Sequence, residues 1–269
     1  MAINSTLGFI GTGGITSFLV RGLCSAPEFT GKVILSVHKN GEKAEALRAL
    51  FPERVTISRS NQEVADRSDI VFIAVLPKQH EAAAGGVTFK AEHRIVHVTG
   101  GVKLESSRAL YAPAQSAVRV IPLPFVARRM GPTLFYGEDP LCRELFSMLG
   151  TIVEVKTEKE LEVLGPMTGM MVPYYGLIAA YVKWGMEKGL SFRTMLNYSC
   201  YMNEALSSFM RTDCTADVEA FLADNSTPGG VNELGLRLLR ERGVYEQWSD
   251  VLEEVYDRYN SMGNNAGEK

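Results

Sequence analysis

The sequence predicts a doubly wound α/β domain on a parallel sheet, followed by an all-helical domain. Three observations predict it. A glycine turn sits at the first strand–helix junction, β-branched runs alternate with helical stretches up to residue 155, and no strand pattern follows Glu158. Near-continuous apolar strands separated by amphipathic helices indicate a sheet covered on both faces.

The first element reads Leu-Gly-Phe-Ile-Gly-Thr-Gly-Gly-Ile-Thr over residues 7–16, and Ile15, Phe18, Leu19 and Leu23 then share one helical face. This is strand, tight turn, helix. Gly11 and Gly13 fit the first two glycines of a dinucleotide fingerprint, and Thr16 takes the third small position. The first glycine permits the turn and the second lets backbone approach a pyrophosphate at the helix start. Gly11, Thr12, Gly13, Gly14 and Ile15 are therefore candidate cofactor contacts.

Further strands are expected at 32–37, 55–57, 70–75, 94–98, 117–121 and 151–155, with helices at 15–25, 41–50, 62–67, 78–84 and 140–149. The α/β domain spans 1–155 and the helical domain 156–269, with helices at 158–188, 191–211, 215–223, 228–242 and 244–260. Ser191 caps the second of these, which presents Phe192, Met195, Leu196, Met202, Leu206 and Phe209 on one face. Met167 to Val182 is apolar on almost every side. Such a helix must be buried all round, and a partner subunit would bury it. A homodimer or larger assembly through the helical domain is expected, the alternative being burial against the first domain.

The chain has 269 residues, 46% hydrophobic and 22% charged, with net charge −3. That balance gives no electrostatic reason to expect nucleic acid or an anionic membrane as a partner. No basic segment precedes an apolar stretch at the N-terminus, so a cytoplasmic location is expected. Cys24, Cys142, Cys200 and Cys214 are far apart and read as free thiols. His93 and His97 fall on a strand, where their spacing of four puts them roughly 13 Å apart, so no metal is expected.

At the end of the second strand His38-Lys39-Asn40 stands where an acidic residue would bind the ribose 2′-hydroxyl of NAD. Lys39, with His38 and Ser36 as donors, suits a 2′-phosphate and hence NADP(H). Val75 and Pro77 follow the fourth strand, and Gly100 and Gly101 the fifth, at the carboxyl edge where the nicotinamide half should lie. In the helical domain Thr227 reads as an N-cap and Pro228 as the first helical residue. The N–H groups of Gly229, Gly230 and Val231 would then be open to a carboxylate, with Asn232 next to them.

Thr227-Pro-Gly-Gly resembles the Ser/Thr-Pro-Gly-Gly signature of pyrroline-5-carboxylate reductases in sequence and place. The N-terminal Gly-Phe-Ile-Gly-x-Gly, Ala74-Val-Leu-Pro77, Gly101-Val102, Arg119-Val-Ile-Pro122 and the 229–256 stretch are similar to the same family. The resemblance covers nearly all of residues 7–260. It implies a Rossmann domain, a helical domain interlocked in a dimer, and NAD(P)H-dependent reduction of a cyclic imine, 1-pyrroline-5-carboxylate, to L-proline, with NADPH as the cofactor that the residue 38–40 reading favours. Hydride would pass to the imine carbon. Asn232 aligns with the threonine the family places near the imine nitrogen, which makes it the candidate catalytic residue. Thr168, Thr227, Gly229, Gly230 and Val231 become candidate substrate contacts. Leu76, Leu123 and the Thr168-Gly-Met-Met-Val-Pro173 segment depart from the family pattern. Reduction of another cyclic imino acid, deazaflavin-dependent NADP reduction and a non-catalytic NADP-binding dimer are the alternatives.

Overall fold

A computed structural model of the chain describes residues 2–37 and 41–264. The first unit runs to Gly165 and takes up the chain again from Tyr256; the second is Pro166–Val255. In the first, β1 (Leu7–Ile10), α1 (Gly14–Ser25), β2 (Val33–Ser36), α2 (Glu42–Leu50), β3 (Val55–Ser58), α3 (Asn61–Asp66) and β4 (Ile70–Ile73) alternate strictly. Then follow α4 (His80–Gly85), β5 (Arg94–His97), α5 (Leu104–Tyr111), β6 (Ser116–Ile121), β7 (Pro132–Tyr136), α6 (Pro140–Ser147), β8 (Thr151–Val155) and α7 (Glu158–Leu164).

The strands form one sheet in the order β3-β2-β1-β4-β5-β6-β7-β8. β1 lies between β2 and β4, with Leu7 opposite Val33 on one side and Ile70 on the other. The chain reverses its winding there, so a crevice opens at the carboxyl ends of β1 and β4. All four residues of β1, β2 and β4 are buried, as double coverage requires. Phe9 and Phe72 stack at 4.2 Å between ring centres in the core on one face.

The sequence reading missed two elements. One is α5. The other is β7, which pairs antiparallel to β6 through Val120 and Phe135, so that β7 and β8 both run against the first six strands. Without β7 the last strand would have to add directly to β6. Instead β8 pairs with β7 in parallel. The first unit also extends beyond residue 155, for a visible reason. Glu158 accepts hydrogen bonds from the Leu104 and Glu105 amides at 2.7 and 3.1 Å and from buried Arg119 at 2.8 Å.

The expected helix 158–188 is broken. α7 ends at Leu164, a 3-10 turn covers Gly165–Met170, and α8 begins at Met171 (Met171–Glu187). Gly165 keeps α geometry (φ −56°, ψ −45°), but Pro166 brings no N–H of its own to carry the i to i−4 ladder onward. The second unit continues with α9 (Phe192–Asp213), α10 (Val218–Asp224), α11 (Val231–Glu241) and α12 (Val244–Asn264), whose last turns count with the first unit. Ser191 caps α9 as expected, accepting from the Thr194 amide.

α8 and α9 pack closely, for a side chain at Gly185 would meet Met195 Sδ at 2.3 Å. Yet only Ile178, Val182 and Gly185 of α8 are buried. Tyr174, Tyr175, Leu177, Tyr181, Trp184 and Met186 are exposed, as are Phe192, Leu206 and Phe209 of α9. An apolar groove of about 700 Å³ runs between the two helices past Tyr174, Ile178, Val182 and Leu196.

Candidate active site

The glycine turn follows β1 directly. Gly11 has φ +99°, and a Cβ there would lie 2.4 Å from the Ala74 carbonyl oxygen. Gly13 is different. It is the N-cap of α1 in extended geometry (φ −93°, ψ −165°), and a Cβ on it would meet nothing within 4 Å. The fold therefore requires Gly11 but not Gly13. α1 has no side-chain cap and no acidic residue in its first turn, so the first-turn N–H groups, including those of Gly14 and Ile15, point outward without a helical acceptor. Thr16 suits its place better than the fingerprint suggests. It is fully buried, and its hydroxyl donates to the Gly11 carbonyl at 2.8 Å.

A cavity of about 380 Å³ opens here, lined by Gly11, Thr12, Ser36, Val37 and Val75. Asn61, Gln79, Ala82 and Ala83 complete it and were not anticipated. The available signal was position, since Asn61 starts α3 just past the carboxyl end of β3 and Gln79 precedes α4. Ser36 is corrected as a phosphate donor: it is buried and its hydroxyl donates to Asn61 Oδ1 at 2.5 Å. Thr12 likewise spends its hydroxyl on the Ser36 carbonyl at 2.9 Å. His38, Lys39 and Asn40 lie outside the described residues. Pro77 opens the short 3-10 turn Pro77–Gln79, and Leu76 before it is exposed. Gly101 (φ +73°) turns the chain beyond β5 beside a polar cavity of about 390 Å³ that also touches Lys103, Arg119 and Tyr259.

Behind the β4 and β5 ends lies a buried polar chain. Thr99 Oγ1 donates to the Ile73 carbonyl at 3.4 Å and lies 3.2 Å from His80 Nδ1. His80 Nε2 is 3.1 Å from the Tyr111 hydroxyl, which is 2.6 Å from His97 Nδ1. Burial pushes His80 down to about 4. Burial first, then the nearby His80 and Arg119, holds His97 well below the ordinary imidazole range. The unfolded chain therefore binds a proton that the folded protein resists. His80's contribution to stability is complete above pH 6.5, falls as pH drops from 6.5 to 4 and is level below that. The loss should reach about 2 kcal/mol by pH 5. Urea unfolding of His80→Gln should show a shallower decline between pH 7 and 5 than the parent protein. Equal declines would refute the assignment.

In the second unit the Thr227–Asn232 segment is arranged otherwise than expected. Gly230, not Thr227, is the N-cap, and α11 starts at Val231. Pro228 and Gly229 (φ +71°) are the corners of a turn closed by the Gly230 amide on the Thr227 carbonyl at 2.8 Å. A proline followed by a positive-φ glycine is the type II pattern, and the turn consumes residues assigned to the helix. The Gly229 amide donates to Glu233 Oε2 at 2.6 Å. Two of the three amides expected to be open are thus engaged, and those of Val231, Asn232 and Glu233 in the first turn take their place. Asn232 is exposed and reaches the Asn225 carbonyl at 3.5 Å. Thr168 lies half-buried in the 3-10 turn before α8.

Residues 6–101 match the family described as "NADP oxidoreductase coenzyme F420-dependent". Along nearly the whole chain the relatives are more specific. Pyrroline-5-carboxylate reductase of Corynebacterium melassecola is 23% identical over 96% of this chain and 99% of its own length. Pyrroline-5-carboxylate reductase 3 of Bos taurus is 26% identical over 96% and 86%. Along nearly its whole length the chain is thus similar to pyrroline-5-carboxylate reductases. The fold is similar to that in the crystal structure of Plasmodium falciparum pyrroline carboxylate reductase with NADP bound, at TM-score 0.80 and 19% identity over 98% of this chain and 100% of that one.

Proposed function

We propose that this protein is an NADPH-dependent reductase of a cyclic imine, acting as its relatives' names indicate on 1-pyrroline-5-carboxylate to give proline. The observation that carries the cofactor half is Gly13, a residue without a side chain where the protein itself would accept one. Space there serves a group that comes close to the backbone, and a pyrophosphate on the α1 N-terminus is such a group. Gly11, Thr12, Gly13, Gly14 and Ile15 would hold it. His38, Lys39 and Asn40 would face the 2′-phosphate, and Val75, Pro77, Gly100 and Gly101 would flank the nicotinamide half. NADPH supplies the hydride when bound. A protonated imine is electrophilic enough that the protein's work is orientation and charge placement. Asn232 offers a neutral hydrogen-bonding group to the imine nitrogen. Thr168 and the Thr227–Val231 turn hold the remainder of the substrate, its carboxylate at the start of α11.

Glu233 favours a second reading, reduction of a cyclic imine other than 1-pyrroline-5-carboxylate. Its carboxylate already holds the Gly229 amide and repels another anion at the same helix start. A panel of imines with and without a carboxylate, assayed by NADPH oxidation, separates the two. Asn232→Ala should lower kcat at least tenfold and leave NADPH affinity unchanged. Glu233→Gln should lower KM for carboxylated imines several-fold and leave neutral ones alone. Full activity in Asn232→Ala would refute its role, and no turnover of any imine would refute the reading as a whole.

The exposed apolar faces of α8 and α9 support a homodimer or larger assembly through the helical unit. The run 158–187 is apolar enough in composition for a membrane span, with mean hydropathy 1.2. The turn at Gly165–Met170 leaves α8 only 17 residues, short of the roughly 20 a bilayer needs.

A further inference from the structure

The buried chain Thr99–His80–Tyr111–His97 is not used in the chemistry above, yet it joins the loops flanking the crevice. His80 opens α4 between the cavity-lining residues Gln79 and Ala82. Thr99 immediately precedes the Gly100–Gly101 turn. His97 ends β5, and Tyr111 ends α5. All four side chains are buried, His97 completely.

We propose that His80, Tyr111, His97 and Thr99 are positioning residues that clamp the loops after β4 and β5 in the geometry that receives the nicotinamide half of the cofactor. The proposal rests on the dinucleotide reading given above. The network orders its own protons. Thr99 donates to the Ile73 carbonyl, so its oxygen accepts from His80 Nδ1–H. His80 Nε2 then accepts the Tyr111 O–H, and the Tyr111 oxygen accepts His97 Nδ1–H. His97 Nε2 makes no hydrogen bond of its own, and the backbone of Thr99 and Val102 beside the ring favours its protonated form against the larger effect of burial. Each link in the chain then carries one proton, and burial keeps both imidazoles neutral. A chain of this kind fixes distances between the elements it links, because losing any one donor leaves its neighbour buried and unpaired. Apolar packing alone would hold the same elements together and let the loops shift by fractions of an ångström. Reacting groups do not tolerate such shifts.

The test separates the two ends of the crevice. Adenosine 2′,5′-bisphosphate carries the adenosine half of NADPH and lacks the nicotinamide half. Thr99→Val and Tyr111→Phe each remove one hydroxyl and keep the shape. Each should weaken NADPH binding at least fivefold, with adenosine 2′,5′-bisphosphate affinity unchanged within twofold, and KM for NADPH should rise more than kcat falls. Thr99→Ser restores the hydroxyl and should recover NADPH affinity. Variants that lose thermal stability while the ratio of the two dissociation constants stays at the parent value would reduce the chain to a core network and overturn the proposal. If the parent protein binds neither nucleotide, the cofactor reading falls and the clamp with it. If the parent binds both and the variants match it, only the clamp falls.

Discussion

Gly11→Ala should unfold the start of the first unit and abolish NADPH binding, whereas Gly13→Ala should abolish binding alone. At Gly11 the backbone has φ +99° and a new Cβ would sit 2.4 Å from the Ala74 carbonyl oxygen and 2.8 Å from Val75 Cγ1. A side chain there meets both a strained conformation and a backbone wall, at a cost of about 3 kcal/mol or more. Relief requires β1 to move away from β4, and with it the Gly11 carbonyl that accepts the Thr16 hydroxyl. At Gly13 the extended backbone suits any residue and the added methyl meets no protein atom within 4 Å. Its stability should stay within about 0.5 kcal/mol of the parent. NADPH affinity should fall at least tenfold, since the methyl occupies the approach to the α1 N-terminus. Urea unfolding and NADPH titration of both variants check this. A Gly13→Ala protein that binds NADPH normally would remove the main support for the pyrophosphate site.

Trp184→Asp and Gly176→Arg should convert a dimer into monomer or aggregate. Trp184 is 60% exposed within one chain, and a side chain at Gly176 would meet no other atom within 4 Å. In a protein that works as a monomer both are surface changes worth about 0.5 kcal/mol or less. Where a second copy covers α8, each buries a charge without a partner, at a cost of several kcal/mol. The two outcomes are far apart. Light scattering at micromolar concentration should give a dimer or larger for the parent and a lower mass or precipitation for the variants. A well-folded parent monomer would overturn the assembly, and partition of the parent into lipid vesicles would assign the α8 face to a bilayer instead.

Much of the first unit was legible in the sequence because its signals are local. Val33–Leu35 and Ile70–Ile73 are β-branched or apolar at every buried position, and the Gly11 turn has a steric reason that any chain with this strand order must meet. β7 escaped because Pro132 and the glycine before it read as loop, and because an antiparallel strand inside a doubly wound sheet breaks the alternation that made the others visible. The Thr227-Pro-Gly-Gly signature was legible as a motif and misread as geometry. A proline after a capping residue suits the first turn of a helix and the first corner of a type II turn equally well. Only the positive φ of Gly229 and the Glu233 carboxylate on its amide decide between them.

The sequence by itself determined the strict alternation from β1 to β4, the glycine turn after β1, the change to all-helical structure after residue 158 and the excess of apolar surface on the segment after Met167. These follow from periodicity, glycine sterics and composition, which act over a few residues. The tertiary structure alone decided what depends on distant residues meeting. It brought Asn61 and Gln79 to the rim of the crevice and engaged the Ser36 hydroxyl with Asn61. It joined His80, His97, Thr99 and Tyr111 into one chain of hydrogen bonds across β4, β5, α4 and α5. Histidines at 80 and 97 carry no sequence signal of partnership, because their link is made by the hydroxyl of Tyr111 at the end of a helix that the sequence pattern did not reveal.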